Sequence, residues 1–201
     1  MTDQIRFPVM VSVIVVTCNQ KQYIRQALDS ILMQETTFPY EILIGDDAST
    51  DGTSEIVEEY AQRHPSLIRA FIREKNLGPT KNVYDLLAQA RGKYIANCEG
   101  DDYWINCKKL QLQVDFLEKN PIYSACTHNC RIVDETGAAL PDQKLNWVSS
   151  KTVFTRKDFK GIYLPGQPAT WVHRNFLSDH NHNFSIIYQA NRFVGDRTVT
   201  L

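Results

Sequence analysis

Apolar positions alternate between two patterns over about the first 120 residues. Val11-Ser-Val-Ile-Val-Val-Thr17 is a short β-branched run. Such a run predicts a strand buried on both faces. Ile24, Ala27, Leu28, Ile31 and Leu32 then recur at helical spacing. Residues 40–45 read as a second strand, closed by the turn-rich Asp-Asp-Ala-Ser-Thr-Asp-Gly52. Ile56, Val57, Tyr60 and Ala61 give the face of a second helix. Residues 68–72 predict a third strand. Val83, Leu86, Leu87 and Ala90 mark a third helix, with Gly92 as its candidate C-cap. Residues 94–98 predict a fourth strand. Leu110, Val114 and Leu117 mark a fourth helix, stopped near Asn120-Pro121.

Strands alternating with helices predict a mainly parallel sheet with right-handed crossovers. Sheets of this kind bind ligands beyond the carboxyl ends of their strands. That rule selects residues 17–20, 46–50 and 99–104. After Pro121 the pattern changes. Residues 123–133 read as a strand or strand pair turned by Asp134-Glu-Thr-Gly137, and residues 169–173 as a further strand. Between them, 138–165 is irregular and carries Lys144, Lys151, Arg156, Lys157 and Lys160, read as a solvated surface. The second half is therefore expected to be a smaller mixed lobe on the same sheet.

The chain has 201 residues, 43% hydrophobic and 22% charged, which fits an ordered globular protein rather than a disordered one. A net charge of −1 supplies no global basic field for nucleic acid. Anionic groups of a small ligand must then be met locally. Five cysteines are an odd number at irregular spacing, which reads as reduced thiols and a cytoplasmic setting. Cys126, His128 and Cys130 lack the second ligand pair that a structural zinc site needs, and read as thiols near a strand. His64, His128, His173, His180 and His182 have no triad partner and read as surface or core residues. The longest apolar stretch, 9–16, falls well short of the roughly twenty residues of a membrane helix. Residues 1–8 do not read as a leader. Membrane association, at the inner face, would be peripheral or through a segment not present here.

The acidic strand end is the most informative feature. Glu99, Asp101 and Asp102 follow a predicted buried strand, around Gly100. Three adjacent carboxylates repel one another unless a cation is bound. An all-oxygen set suits Mg²⁺ or Mn²⁺, which also bind substrate phosphates. The plainer alternative is a polar loop with a helix cap.

Four segments occur in order: Val11-Ser-Val-Ile-Val-Val-Thr-Cys-Asn19, Gly45-Asp-Asp-Ala-Ser-Thr-Asp-Gly-Thr53, Asn76-Leu-Gly78 and Glu99-Gly-Asp-Asp-Tyr-Trp104. This arrangement resembles glycosyltransferase family 2, on the GT-A fold. It covers residues 10–120 closely and the remainder loosely. The resemblance implies a single α/β domain over 1–201: a nucleotide-sugar-binding half over about 8–120 and an acceptor-side half over about 121–201, C-terminally incomplete. It implies metal-dependent, inverting transfer from a nucleotide-diphosphate sugar, commonly a UDP-sugar, to a glycan or glycolipid acceptor in polysaccharide biosynthesis.

By the same resemblance, Thr17 and Asn19 border the base, and Asp47 accepts a hydrogen bond from it. Lys81 stands where a basic residue approaches base or phosphates. Glu99-Gly-Asp101 stands at the Asp-x-Asp motif, with Glu99 near the ribose, Asp101 on the Mn²⁺ or Mg²⁺, and Asp102 beside them in the donor site. Two departures stand out. Cys18 replaces an aromatic residue and offers little stacking area. Glu99 is one methylene longer than the usual aspartate. Gly195-Asp196 matches the late acidic pair of related enzymes, so Asp196 is the expected catalytic base, with Asp158 and Asp179 as alternatives and a helix N-cap as its plainer role. A nucleotidyltransferase or a dinucleotide-dependent oxidoreductase would carry a glycine-rich loop after the first strand, where this chain has Thr-Cys-Asn-Gln20. A non-catalytic carbohydrate-binding module would leave the clustered carboxylates unexplained.

Overall fold

A computed structural model describes residues 9–140, 152–155 and 166–178. Ten regular elements follow in order: β1 (Val9–Thr17), α1 (Ile24–Leu32), β2 (Tyr40–Asp46), α2 (Thr53–Arg63), β3 (Ile68–Ile72), α3 (Pro79–Leu87), β4 (Gly92–Glu99), α4 (Lys109–Lys119), β5 (Ala125–Cys126) and β6 (Val172–Arg174). Short 3₁₀ turns lie at Pro168–Thr170 and Phe176–Ser178. They form one six-stranded sheet in the order β3-β2-β1-β4-β6-β5. The first four strands are parallel, and β6 runs antiparallel to both β4 and β5. The mainly parallel α/β sheet expected from the alternation is therefore present, and the second half of the chain joins it through β5 and β6.

The continuous apolar runs follow from burial on both faces. Val11, Val13 and Val15 of β1 pack with Ile24, Leu28 and Ile31 of α1, Val57 and Tyr60 of α2, and Leu110, Val114 and Leu117 of α4. Ile14 turns the other way, with Leu43 and Ile95, onto Tyr84, Leu86 and Leu87 of α3. Period-two alternation thus sends successive apolar side chains into two different cores. Each fully buried Val, Leu or Ile contributes roughly 1.5–3 kcal/mol.

Local chemistry sets the element ends. Gly78 precedes α3 at φ 85°, and Pro79 occupies the first helical turn, where its missing N–H is no loss. Asn82 of α3 donates through Nδ2 to the Gly45 carbonyl at 2.8 Å. A side chain at Gly45 would lie 2.4 Å from Asn82 Oδ1, so the glycine leaves the room in which the Asn82 amide makes this bond.

Three sequence expectations are corrected. Gly92 is not a helix cap. It opens β4 opposite Val9, and α3 ends with Ala88 as its C-cap. The glycine is needed for close approach, because an added Cβ would meet Ser12 N at 2.4 Å. The strand expected over 123–133 contracts to Ala125–Cys126, with an isolated bridge between Val133 and Ala139. The strand expected over 169–173 is a 3₁₀ turn followed by Val172–Arg174, because Thr170 N and Trp171 N donate within the turn, to Gln167 O at 2.8 Å and Pro168 O at 3.0 Å, rather than to a neighbouring strand.

Candidate active site

The sheet order places β2 and β3 on one side of β1 and β4 on the other. The chain reverses direction of winding between β1 and β4, so the crevice beyond their carboxyl ends is the natural ligand site. Thr17 ends β1 and Glu99 ends β4, with Val16 and Glu99 as register partners. Gly100 N donates to Val16 O at 2.9 Å, carrying the pairing one residue past the strand.

The first wall is the β1 end joined to the loop after β2. Asn19 has φ 54°, a left-handed conformation that asparagine tolerates better than most residues. Its Oδ1 accepts from Thr50 N at 2.8 Å, and its own N–H donates to Ser49 Oγ at 2.8 Å. Asp46 is fully buried and accepts from the hydroxyls of Ser49 and Ser54. Asp51 accepts from Lys21 N at 3.0 Å and from Thr53 N at 3.0 Å, bracing the start of α2. The acid-and-hydroxyl run between Asp46 and Thr53 is thus an interlocked loop.

Asp47 is buried, and both carboxylate oxygens already have partners. Oδ1 accepts from Leu77 N at 2.6 Å and Oδ2 from Gly78 N at 2.9 Å. Asn76 Nδ2 donates back to Asp47 O at 3.1 Å, and the Cys18 thiol donates to the same carbonyl at 3.4 Å. The Asn76-Leu-Gly turn is therefore clamped to the end of β2 by Asp47. Burial, with Asp47 and Asp46 nearby, pushes the Cys18 thiol up and keeps it protonated. Lys81 is exposed on the first turn of α3.

The second wall is the acidic loop after β4. Glu99, Asp101 and Asp102 each offer an oxygen, and the three oxygens lie within 4.8 Å of one another. Asp101 is exposed, while Glu99 and Asp102 are half-buried. Burial, then repulsion from Asp101, pushes the Asp102 carboxyl up to about 6. Its Oδ2 is buried and has no hydrogen-bond partner among the described residues. A hard divalent cation fits this set: all-oxygen ligands, mutual repulsion and one buried, unsatisfied oxygen.

Thr17 and Gln20 pack against the back of that loop. Thr17 is 4% exposed, and neither Thr17 Oγ1 nor Gln20 Oε1 has a hydrogen-bond partner among the described residues. A Cβ on Gly100 would lie 2.5 Å from Gln20 Oε1 and 2.7 Å from Thr17 Oγ1. At the far end of the loop Trp104 is buried. Its backbone N donates to Ser30 Oγ at 3.0 Å, and Nε1 donates to Ala169 O at 3.0 Å.

Thr17, Asn19 and Asp47 thus come together at the β1–β2 end, and Glu99, Asp101 and Asp102 form one cluster at the end of β4. Asp196, with Asp158 and Asp179, lies outside the described residues, as do Lys144, Lys151, Arg156, Lys157 and Lys160. The sequence reading did not single out Gln20, Ser49 or Lys109. Gln20 follows directly on Asn19 in a selected loop, which was the available signal; Lys109 carries none, because nothing in its pattern distinguishes it from a surface lysine. All five cysteines are free thiols. Among the described residues, Cys126, His128 and Cys130 do not form a metal-ligand group; the acidic cluster does. His173 stacks on Phe176.

Comparison with known proteins bears on this geometry. The family model described as "Glycosyl transferase family 2" matches residues 12–180. An uncharacterized protein of Mycobacterium tuberculosis is 47% identical over 127 residues, covering 63% of this chain and 37% of that protein. Staphylococcus aureus TarS in complex with UDP superposes with a TM-score of 0.62 at 28% identity, covering 86% of this chain and 49% of that chain. The mannosyltransferase PcManGT from Pyrobaculum calidifontis, in complex with GDP-Man and Mn²⁺, superposes with a TM-score of 0.55 at 29% identity, covering 60% of this chain and 35% of that chain. The chain therefore spans about half or less of the length of each.

Proposed function

Because the chain belongs to glycosyl transferase family 2, we propose that it is the donor-binding core of an inverting, metal-dependent glycosyltransferase that uses a UDP-sugar. The observation that carries this reading is the carboxylate trio at the end of β4, beside the switch point of the sheet. Glu99 faces the ribose side of the donor, Asp101 would hold Mn²⁺ or Mg²⁺, and the buried, unpartnered Oδ2 of Asp102 supports adding it as a second ligand. When bound, the cation supplies Lewis-acid neutralisation of charge on the departing diphosphate. Mn²⁺ in the P. calidifontis complex supports the choice of ion class. UDP in the TarS complex supports the choice of nucleotide.

The chain's own residues do the rest. The β1 end, through Thr17 and Asn19, borders the base, and Asp47 with the Asn76-Leu-Gly turn forms the base edge. Lys81 approaches the phosphates from α3. Inversion is a single displacement, so a base must take the acceptor hydroxyl proton on the face opposite the diphosphate. Asp196 is assigned that role. The acceptor is a glycan or glycolipid. No helix among the described residues is long and apolar enough to cross a membrane. The test is turnover of UDP-sugars and dTDP-sugars with and without Mn²⁺. Metal-dependent release of UDP supports the reading, whereas nucleotide binding without turnover by a full-length form would mark a binding module.

A further inference from the structure

Lys109, the first residue of α4, is 4% exposed. Its Nζ lies 4.2 Å from the centroid of the Trp104 ring and donates to Gln113 Oε1 at 2.8 Å. Gln113, one helical turn on, donates through Nε2 to Thr170 O at 2.9 Å and to Cys126 O at 3.3 Å. Trp104 reaches the same turn independently, through Nε1 to Ala169 O. None of the ion pairs among the described residues includes Lys109. The titratable groups nearest in influence are the thiols of Cys98 and Cys126, and burial raises both. Burial holds the amine down to about 7.

A lysine in this place is a poor choice for stability. Burying an amine without a carboxylate partner is costly, and a methionine of similar length would fill the space at no such cost. Its polar links are specific, however. The amine over the indole face, a cation–π contact when protonated, holds the Trp104 end of the acidic loop, and the bond to Gln113 orients an amide that holds the Pro168–Thr170 turn. We infer that Lys109, acting through Trp104 and Gln113, is a positioning residue that fixes the acidic loop and the Ala169–Thr170 turn relative to each other. One buried amine thereby sets both the aim of the carboxylates and the placement of the turn that leads into β6, the antiparallel neighbour of β4. The effect on donor binding rests on the proposed metal-dependent donor site; the structural coupling does not.

The experiment uses Lys109→Met, with Gln113→Met as a second variant that breaks the link from the other side. Backbone hydrogen exchange, thermal midpoint and UDP affinity in Mn²⁺ are measured on each full chain. The expected result is faster exchange at residues 99–104 and 169–171 together, at least tenfold weaker UDP binding, and a midpoint equal to or above the wild type for Lys109→Met. A stability gain beside a binding loss is an outcome that a purely structural lysine would not produce. Unchanged exchange in those two segments overturns the inference. So does faster exchange spread over the whole sheet with a lowered midpoint in both variants. If the wild type fails to bind UDP with Mn²⁺, the donor reading fails, and the exchange data alone still decide the coupling.

Discussion

Thr17 and Gly100 face each other so closely that a methyl group on Gly100 would lie 2.7 Å from Thr17 Oγ1 and 2.8 Å from its Cβ. Gln20 Oε1, at 2.5 Å from the same point, is the tip of a flexible side chain and can swing aside. Thr17 ends a strand paired on both sides and cannot. Gly100→Ala is expected to cost about 1–3 kcal/mol of stability, the usual range for overpacking. It is also expected to weaken Mn²⁺ binding by shifting the flanking acids. Thermal unfolding and Mn²⁺ titration check this; wild-type values for both would show that the loop yields without consequence.

Asp102 connects the acidic loop to pH. Its carboxyl is pushed from 3.8 up to about 6 by burial and by Asp101. Between those values the folded protein binds more protons than the unfolded chain. The stability that Asp102 contributes to the metal-free protein is therefore fully present below pH 4 or so and is lost as pH rises through about 6. Asparagine imitates the neutral form. Metal-free Asp102→Asn is expected to be more stable than wild type at pH 7 by about 1–3 kcal/mol, with the gain vanishing near pH 4. If Asp102 joins Asp101 in holding Mn²⁺, as proposed, the order reverses with Mn²⁺ present, because a charged ligand is gone. For the wild type, Mn²⁺ affinity should fall as pH drops below 6, since metal and proton compete for Asp102. Melting curves across pH, with and without Mn²⁺, check both signs.

The four parallel strands were legible because burial on both faces leaves β-branched runs such as Val13-Ile-Val-Val16 and Ile42-Leu-Ile44. The position of the acidic cluster followed from the strand-end rule. β5 and β6 were not legible at their true lengths. Two and three residues carry no periodicity, and their partners lie far away in sequence, β4 for β6 and β6 for β5. Gly92 was misread because close backbone approach and a helix cap both call for glycine, and only the third dimension separates them. Lys109 was invisible for a related reason: a lysine within an amphipathic helix reads as solvated unless the partner that buries it is known.

Asp196 carries a prediction of a different kind, on chemistry alone. If it takes the acceptor proton, Asp196→Asn in a full-length form should keep UDP and Mn²⁺ affinity and lower transfer by roughly 10²–10⁴-fold, the usual contribution of a positioned base. Isothermal titration and transfer assays on the same preparation make the comparison. Retained turnover sends the role to Asp158 or Asp179.

Asp47 offers the sharpest test of the base subsite, and its geometry decides how the test must be built. The carboxylate clamps Leu77 N and Gly78 N. Alanine would leave Leu77 N without that acceptor, while Gly78 N would keep Asn76 Oδ1 at 3.1 Å. Leu77 N is only partly buried, so leaving it without its acceptor costs at most about 1–3 kcal/mol, and Asp47→Ala should lower stability modestly. Loss of UDP binding in that variant would therefore mix two causes, a displaced turn and a missing acceptor. Comparing nucleotides in the wild type separates them. Uracil presents an imide N–H that a spare lone pair of Asp47 can accept, whereas cytosine presents a ring nitrogen acceptor that the carboxylate repels. With Mn²⁺ present, UDP is expected to bind at least tenfold more tightly than CDP, on the order of 1.4 kcal/mol. In Asp47→Ala that ratio should collapse toward one, whatever the absolute affinity. Equal affinity for UDP and CDP in the wild type would remove base reading from Asp47 and leave it as the clamp of the Asn76-Leu-Gly turn.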